Sequence, residues 1–435
     1  MKMKKIMSIC ALACALAFSA SCKKDDGPKA DWKSIPSEII TAESGNATLS
    51  VNEVPVLVGN AKFTANGAST GILTLTNVIP GYTTVPVSVE MKNVDENTFS
   101  FTGKTSLSEG PAIISLKSEA LASVYSVEVD GTVTVDGKIS VNASTHVSAQ
   151  GGLAGTWKIK RTFAAVEGET GITPSGAPIW LKWKINDEQF TSLSSLASLA
   201  GIFGGAALGD YLDHVTFNEN GNITAGYWKD AEDEDFDINK FFALAPTEPD
   251  ANGNFVFGND HEDKWLESPA ANLAFWHAGN GVLYVSPDIM AIAAAADADS
   301  PSEEEATTTV DISELISAIK DLADYGVDVP ALTSEVMKIL QNGIALKYTV
   351  DGNNLTIYVD KALCDPIVKP LLPALKVLDQ KYEELLKSED PADQQTAEMI
   401  GMVFGMCGIT KPSDFETIWN ATDEFEISLS FEKAE

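Results

Sequence analysis

Arginine is almost missing from this chain: Arg161 is the only one in 435 residues. Planar, bidentate recognition of phosphate or carboxylate therefore has almost no means. Positive charge of any kind is scarce, with 30 Lys and Arg against 62 Asp and Glu and a formal net charge of −32. A field of that sign repels nucleic acid and anionic glycans, so no nucleic-acid partner is expected. Histidine is limited to His146, His214, His261 and His277, none in HExxH or another zinc spacing. His261-Glu262-Asp263 could orient an imidazole, yet no G-x-S-x-G nucleophile accompanies it. No catalytic residue, cofactor or transmembrane helix is expected.

The N-terminus is the most informative stretch. Lys2, Lys4 and Lys5 precede an apolar run from Ile6 to Phe18, and Ser19-Ala20-Ser21 then precede Cys22. A basic segment, a short apolar segment and small residues make a secretory signal peptide; the run is shorter than the roughly 20 residues that span a bilayer. A cysteine directly after three small residues resembles the lipobox of bacterial lipoproteins, with Ser19 where that family usually has leucine. The resemblance implies that Cys22 is acylated and becomes the mature N-terminus; ordinary cleavage after Ala20 or Ser21 is the alternative. Lys23-Lys24-Asp25-Asp26 is similar to the short charged signal that sends Bacteroidetes lipoproteins to the cell surface, or else is a solvated tether. Acyl chains contribute roughly 0.8 kcal/mol per buried CH₂, so a multiply acylated Cys22 would hold the protein at the membrane.

Removal of the leader takes Cys10 and Cys14 with it and leaves Cys364 and Cys407 in the body. Outside the cytoplasm that pair could form a disulfide closing a loop of about 40 residues, worth roughly 4 kcal/mol in the chain-entropy account. Two buried free thiols are the other reading.

Four segments are expected: a signal peptide over 1–21, a lipidated tether over 22–44, an antiparallel β domain over 45–150, and a second β domain over 151–435. In the first β domain, Val85, Val87 and Val89, then Val127, Val129, Val133 and Val135, alternate with polar residues, and Asp136-Gly137 predicts a hairpin. A small antiparallel barrel or sandwich follows, without Cys or Trp. Gly151-Gly152 marks the boundary. Beyond it, Gly155-x-Trp157 at the entry to a strand resembles the opening signature of lipocalins and related calycin barrels. The arginine which that family carries on its last strand is missing here. Hairpins at His214–Thr224 and Tyr348–Val359 and a last strand from Phe425 to Phe431 fit the same pattern. Helices are expected over 190–208, from Ile312 to the stop at Gly326, over Leu332–Leu340, Ile367–Lys387 and Ala392–Cys407. The fold class is thus mainly β with inserted helices (α+β): an N-terminal barrel or sandwich, then a lipocalin-like barrel elaborated by helices. The chain as a whole resembles exported Bacteroidetes-type lipoproteins with calycin-like β domains, a resemblance that implies no particular activity.

Candidate sites are few. Asp233, Asp235 and Asp237 alternate in an acidic run, and carboxylates so spaced can begin a calcium site. The glycine and glutamate positions of an EF-hand, however, hold Ile238 and Leu244, and a solvated loop is the plainer reading. Trp180, Trp183, Trp228 and Trp276, with Trp265, could line a barrel mouth or a sugar-stacking platform, or simply pack. Trp180 and Trp183 differ by an odd number, so a regular strand points them to opposite faces. The expectation is a non-enzymatic, lipid-anchored outer-membrane protein, exposed at the surface, that binds a small apolar or glycan ligand or an envelope partner protein. The alternatives are a glycan hydrolase with paired carboxylates and a purely structural lipoprotein.

Overall fold

The computed structural model of the protein describes residues 29–56, 59–108, 123–164, 177–229, 243–259, 261, 264–269, 271–288, 292 and 312–434. The chain is mainly β, with two large curled sheets and a set of helices.

The first sheet holds β1 (Ile39–Thr41), β2 (Ala47–Val51), β3 (Val54–Pro55), β4 (Asn60–Ala65), β5 (Thr70–Thr76), β6 (Thr84–Asn93), β7 (Thr98–Ser108), β8 (Ser123–Thr134) and β9 (Ile139–Val147), in the order β1-β4-β5-β6-β7-β8-β9-β2-β3. Alternation in the sequence becomes alternation in burial: in β6, Val85, Val87, Val89 and Met91 are buried and their neighbours are exposed. One face therefore packs and the other is solvated. The Asp136-Gly137 hairpin forms as the spacing requires, with Val133 opposite Ile139. Two features depart from the sequence reading. The pair β2–β9 is parallel, in a domain expected to be antiparallel. Folded structure also begins earlier than residue 45: Ile35 and Ile40 are buried, Trp32 packs on the core, and β1 pairs with β4. The apolar residues of that supposed tether bury themselves because the sheet edge offers them a surface.

The second sheet contains β10 (Gly155–Ile159), β12 (Ile179–Ile185), β13 (Leu212–Phe217), β14 (Ile223–Tyr227), β16 (Leu266–Glu267), β17 (Ala274–Gly279), β18 (Val282–Pro287), β19 (Ile344–Asp351), β20 (Asn354–Asp360) and β21 (Thr422–Lys433). Its path runs β16-β14-β13-β10-β21-β20-β19-β18-β17. The two flanks meet: Asn222, just before β14, bridges to Phe275 in β17, and the Trp276 N–H donates to the Gly221 carbonyl at 3.0 Å. The sheet thus curls far enough to touch itself at one end. A strand-like run beside β21 is interrupted. β10 pairs with β21 as far as Ile159 opposite Phe431, the chain leaves through a small side sheet of β11 (Thr162–Ala164) and β15 (Asn254–Val256), and β12 resumes with Ile179 opposite Leu429.

Seven helices are seen among the described residues: α1 (Thr191–Tyr211), α2 (Ile312–Asp321), α3 (Val329–Asn342), α4 (Lys361–Leu371), α5 (Leu375–Lys387), α6 (Pro391–Cys407) and α7 (Asp414–Ala421). The helix expected over 367–387 begins at Lys361, where Asp360 caps the Leu363 N–H, and breaks at Leu372–Ala374 beside Pro370 and Pro373. α1 lies along β12 with glycines at the contact: a Cβ on Gly201 would stand 3.1 Å from the Leu181 nitrogen. It covers an edge of β12 that would otherwise be open to pairing. With the preceding turn, its segment Glu188–Tyr211 spans 24 residues and contains an 18-residue window of mean hydropathy 1.4, enough by length and composition to cross a membrane. Of that window 33% is buried inside the fold, where the helix packs along β12. Its hydropathy comes from Leu193, Leu196, Leu199, Ile202, Phe203 and Leu208 with the alanines, while the small residues Ser, Ala and Gly let it approach β12.

The turns at 218–222, 279–281 and 351–354 gather at the end of the second sheet where the flanks meet, and α1–α7 gather at the other. The first domain docks on the gathered turns. The Val147 N–H donates to the Glu219 carbonyl at 2.8 Å, Ala278 to Ala149 at 2.8 Å, and the Tyr125 hydroxyl to the Trp276 carbonyl at 2.6 Å. Gly151 is required at this joint. It has φ +55°, its carbonyl takes the Tyr348 hydroxyl, and a Cβ there would sit 2.1 Å from that hydroxyl. The two cores consequently merge through Tyr125, Phe275, Trp276 and Ala278. Pro36 lies beside Gly137, at the opposite end of the β8–β9 hairpin from this joint.

Candidate functional site

Cross-strand registers assign the two faces of the second sheet. Trp157 faces Val215, Phe217 faces Ile223, Leu355 faces Phe431, Ile357 faces Leu429, Ala278 faces Leu283 and Trp276 faces Val285. All are apolar, and Phe217 meets Trp276 across the seam at 5.1 Å. The opposite face packs against the first domain through Phe275 and His277, so it is the outside. The inner face changes along its length. Towards the seam it is filled: Trp157, Phe217, Trp276, Leu283, Leu355 and Phe431 are all buried. Towards the helices it is accessible. Ile427 is on the inner face of β21, flanked by Leu181 of β12 and Val359 of β20, and remains 37% exposed; Ile344, opposite Val285, is 40% exposed. Ile427 points inward from a strand paired on both sides, and such a side chain stays accessible only where the interior is open. Leu208, near the C-terminal end of α1, packs on this same core. The inner surface is therefore an apolar cup, packed at its base and open where the helices attach.

A polar network stands at the open end beside α1. Arg161 donates to Asp213 at 3.0 Å and to the Asn259 carbonyl at 3.0 Å, and lies 5.1 Å from the Trp265 ring. Asp213 also meets His214 Nδ1 at 2.9 Å, and His214 Nε2 meets Glu267 at 3.3 Å. Asp210 accepts from the Asn259 backbone N–H at 3.0 Å and pairs with His261 Nε2 at 3.1 Å. His261 stacks flat on Trp228, 4.0 Å between centroids and 2° between planes. A register shift in β13 between Leu212 and His214 turns Asp213 toward Arg161.

A third arrangement is an open groove of about 310 Å³ on the outer face, where Lys182, Asp360, Lys361, Asp423, Glu424 and Glu426 converge. Asp360 and Glu426 are direct cross-strand partners. Their protonation is driven apart. Burial pushes Asp360 up, but the Lys347 ammonium and the Leu363 N–H outweigh it and hold the carboxyl below its usual range. Burial pushes Glu426 up; Lys182 opposes this, and the Asp360 charge adds to it.

The predicted tryptophans do not form one site. Trp276 is fully buried, its indole N–H donating to the Asn218 carbonyl at 2.9 Å. Trp183 is on the inner face, in an aromatic cluster with Phe415, Trp419 and Phe425. Trp180 lies on the outer face beside Lys182, as the odd spacing requires. Trp228 belongs to the network at the open end. Cys364 and Cys407 are free thiols, and burial raises the pKa of each. Cys22 and the run Asp233, Asp235 and Asp237 lie outside the described residues. Among the described residues no group of three or more His, Cys, Asp or Glu could hold a metal ion. Sequence reasoning missed Ile427, the Asp360–Glu426 pair, and the convergence of Asp210, Asp213 and His261. Only the uniqueness of Arg161 pointed to that last cluster.

Neither the profile of a known protein family, nor a curated protein, nor a solved structure matches the chain.

Proposed function

We propose that this is a lipid-anchored outer-membrane protein, held at the cell surface through acyl chains on Cys22, whose lipocalin-like second domain binds a small apolar ligand without chemical turnover. The observation that carries the reading is Ile427: an inward, apolar, doubly flanked position that stays accessible. Water in such a cup gains from displacement by an apolar molecule, roughly 25 cal/mol per Å² of surface covered. The first domain acts as a pedestal. Its β8–β9 hairpin has the start of the folded chain near one tip and the barrel at the other end, and a nine-residue strand such as β9 is roughly 30 Å long. The cup's open end then points away from the anchor. The test is titration of the full-length protein with the neutral, environment-sensitive dye N-phenyl-1-naphthylamine. Saturable binding is expected, lost by at least tenfold in Ile427→Trp, which fills the cup; no saturable binding to the native protein would refute the reading. Replacing Cys22 with alanine should release the protein from membranes, and continued sedimentation with them would refute the anchor.

A second reading, hydrolysis of a glycan, draws on Asp360 and Glu426. Directly opposed residues of an antiparallel pair have Cβ atoms about 4.5–5.5 Å apart, close to the roughly 5 Å carboxyl spacing of retaining glycosidases. One carboxyl held below its usual range beside one pushed above it is the direction of splitting that such chemistry needs. Turnover of aryl glycosides that disappears in both Asp360→Asn and Glu426→Gln would favour this reading over the first.

A further inference from the structure

The rim of the cup carries a feature that the apolar interior does not use. Tyr211, the last residue of α1, is 52% exposed, and its carbonyl takes the Trp228 N–H at 3.0 Å. The Tyr211 and Trp228 rings stand 5.8 Å apart at 37°. Behind Trp228, His261 lies parallel at 4.0 Å, and Trp265 closes on His261 edge-on at 5.2 Å. The whole stack is fixed from below, because His261 is tied to Asp210 at 3.1 Å and Arg161 sits against Trp265 at 5.1 Å. Around it, Leu266 is 46% exposed and the Glu267 carboxylate 67% exposed. Aromatic surface is costly to leave in water, and here it is held rigid with acidic and amide groups at its margin.

We infer that this rim is a carbohydrate-stacking platform for a neutral glycan, with Tyr211 and the free margin of Trp228 taking the apolar face of a sugar ring and Glu267 accepting from its hydroxyls. Three properties select that class. The net charge of −32 disfavours polyanions. Rings packed 4.0–5.8 Å apart leave no box between them for a quaternary ammonium, which needs each ring face within about 6 Å of the cation itself. A purely apolar molecule would strip water from the exposed Glu267 carboxylate and leave it only His214, a cost that hydroxyl groups remove. Because the stack is already in place, little side-chain freedom is lost on binding. This site is separate from the cup, and neither reading depends on the other.

Affinity electrophoresis of the full-length protein through gels containing neutral β-glucan, xylan or mannan tests it. At least one polysaccharide should retard the native protein. Tyr211→Ala, at an exposed position, should weaken that retardation at least tenfold, whereas Ile427→Trp should leave it unchanged. The proposal is overturned if no polysaccharide retards the protein, if Tyr211→Ala binds as the native chain does, if Ile427→Trp abolishes retardation, or if millimolar choline displaces the glycan.

Discussion

The two domains solve the same problem, closing a curled sheet around an apolar interior, in different ways. The first alternates strictly, from Val85 to Met91 and from Val127 to Val133, and fills its interior with Phe63, Phe99 and Phe101. No α-helix interrupts it among the described residues. The second keeps a filled base of Trp157, Phe217 and Trp276 but interrupts the run beside β21 at residue 160, hangs its helices from the other end and leaves Ile427 accessible. Stability and access are thus separated: the pedestal is packed throughout and the cup only in part. A protein that must stand firm and still admit a ligand can divide those demands between domains.

The sharpest way to break that comparison is to remove packing from the pedestal. Phe101, 2% exposed and 5.1 Å from Phe63, should cost about 3–5 kcal/mol when replaced by alanine. Denaturant unfolding measures the cost, and dye affinity of the folded fraction should not change. A loss below about 1 kcal/mol would mean that the pedestal is no more tightly packed than the cup.

The joint between the domains should be sensitive to acid. His277 is buried between Tyr125 and Tyr284, and burial lowers its pKa to about 4. Its folded-state pKa is below the ordinary value near 6.5, so folding favours the neutral ring. The stability from this group is complete above about pH 6.5 and is lost as pH falls toward 4, up to roughly 3 kcal/mol. His277→Phe should flatten the fall in urea midpoint over that window, and an equally steep fall in the variant would assign it to other groups.

Much of the pedestal was legible in the sequence because period-two alternation and an Asp-Gly turn are local signals, and the β8–β9 pairing follows from them directly. The hairpins at 214–224 and 348–359, the core of the last strand from Phe425 to Phe431 and the Gly326 stop were legible for the same reason. What escaped was non-local. The parallel β2–β9 pair, the resumption of β12 beside β21, and the meeting of Asp360 with Glu426, 66 positions apart in the chain, depend on contacts that no window records. Trp276 was read as a candidate for a mouth because exposure cannot be told from burial by residue type. The accessibility of Ile427 was hidden for the converse reason, since an alternating apolar strand reads as core.

Smaller effects sharpen the contrast. Tyr125→Phe removes the bond to the Trp276 carbonyl and leaves that acceptor without its donor, so it should cost about 1–3 kcal/mol. Ile427→Trp should cost less than about 1 kcal/mol, because the added ring enters open space instead of a filled core; overpacking a closed interior would cost about 1–3 kcal/mol.

The central claim is that the second domain is an apolar cup, packed at its base and open at the helical end. Crystals of the protein soaked with a bromine-labelled long-chain alcohol test it through the anomalous signal of bromine. The account predicts one bromine peak inside the second domain, between Leu181, Ile427 and Val359. Density at the domain joint or on the outer face, with nothing in that space, would contradict it.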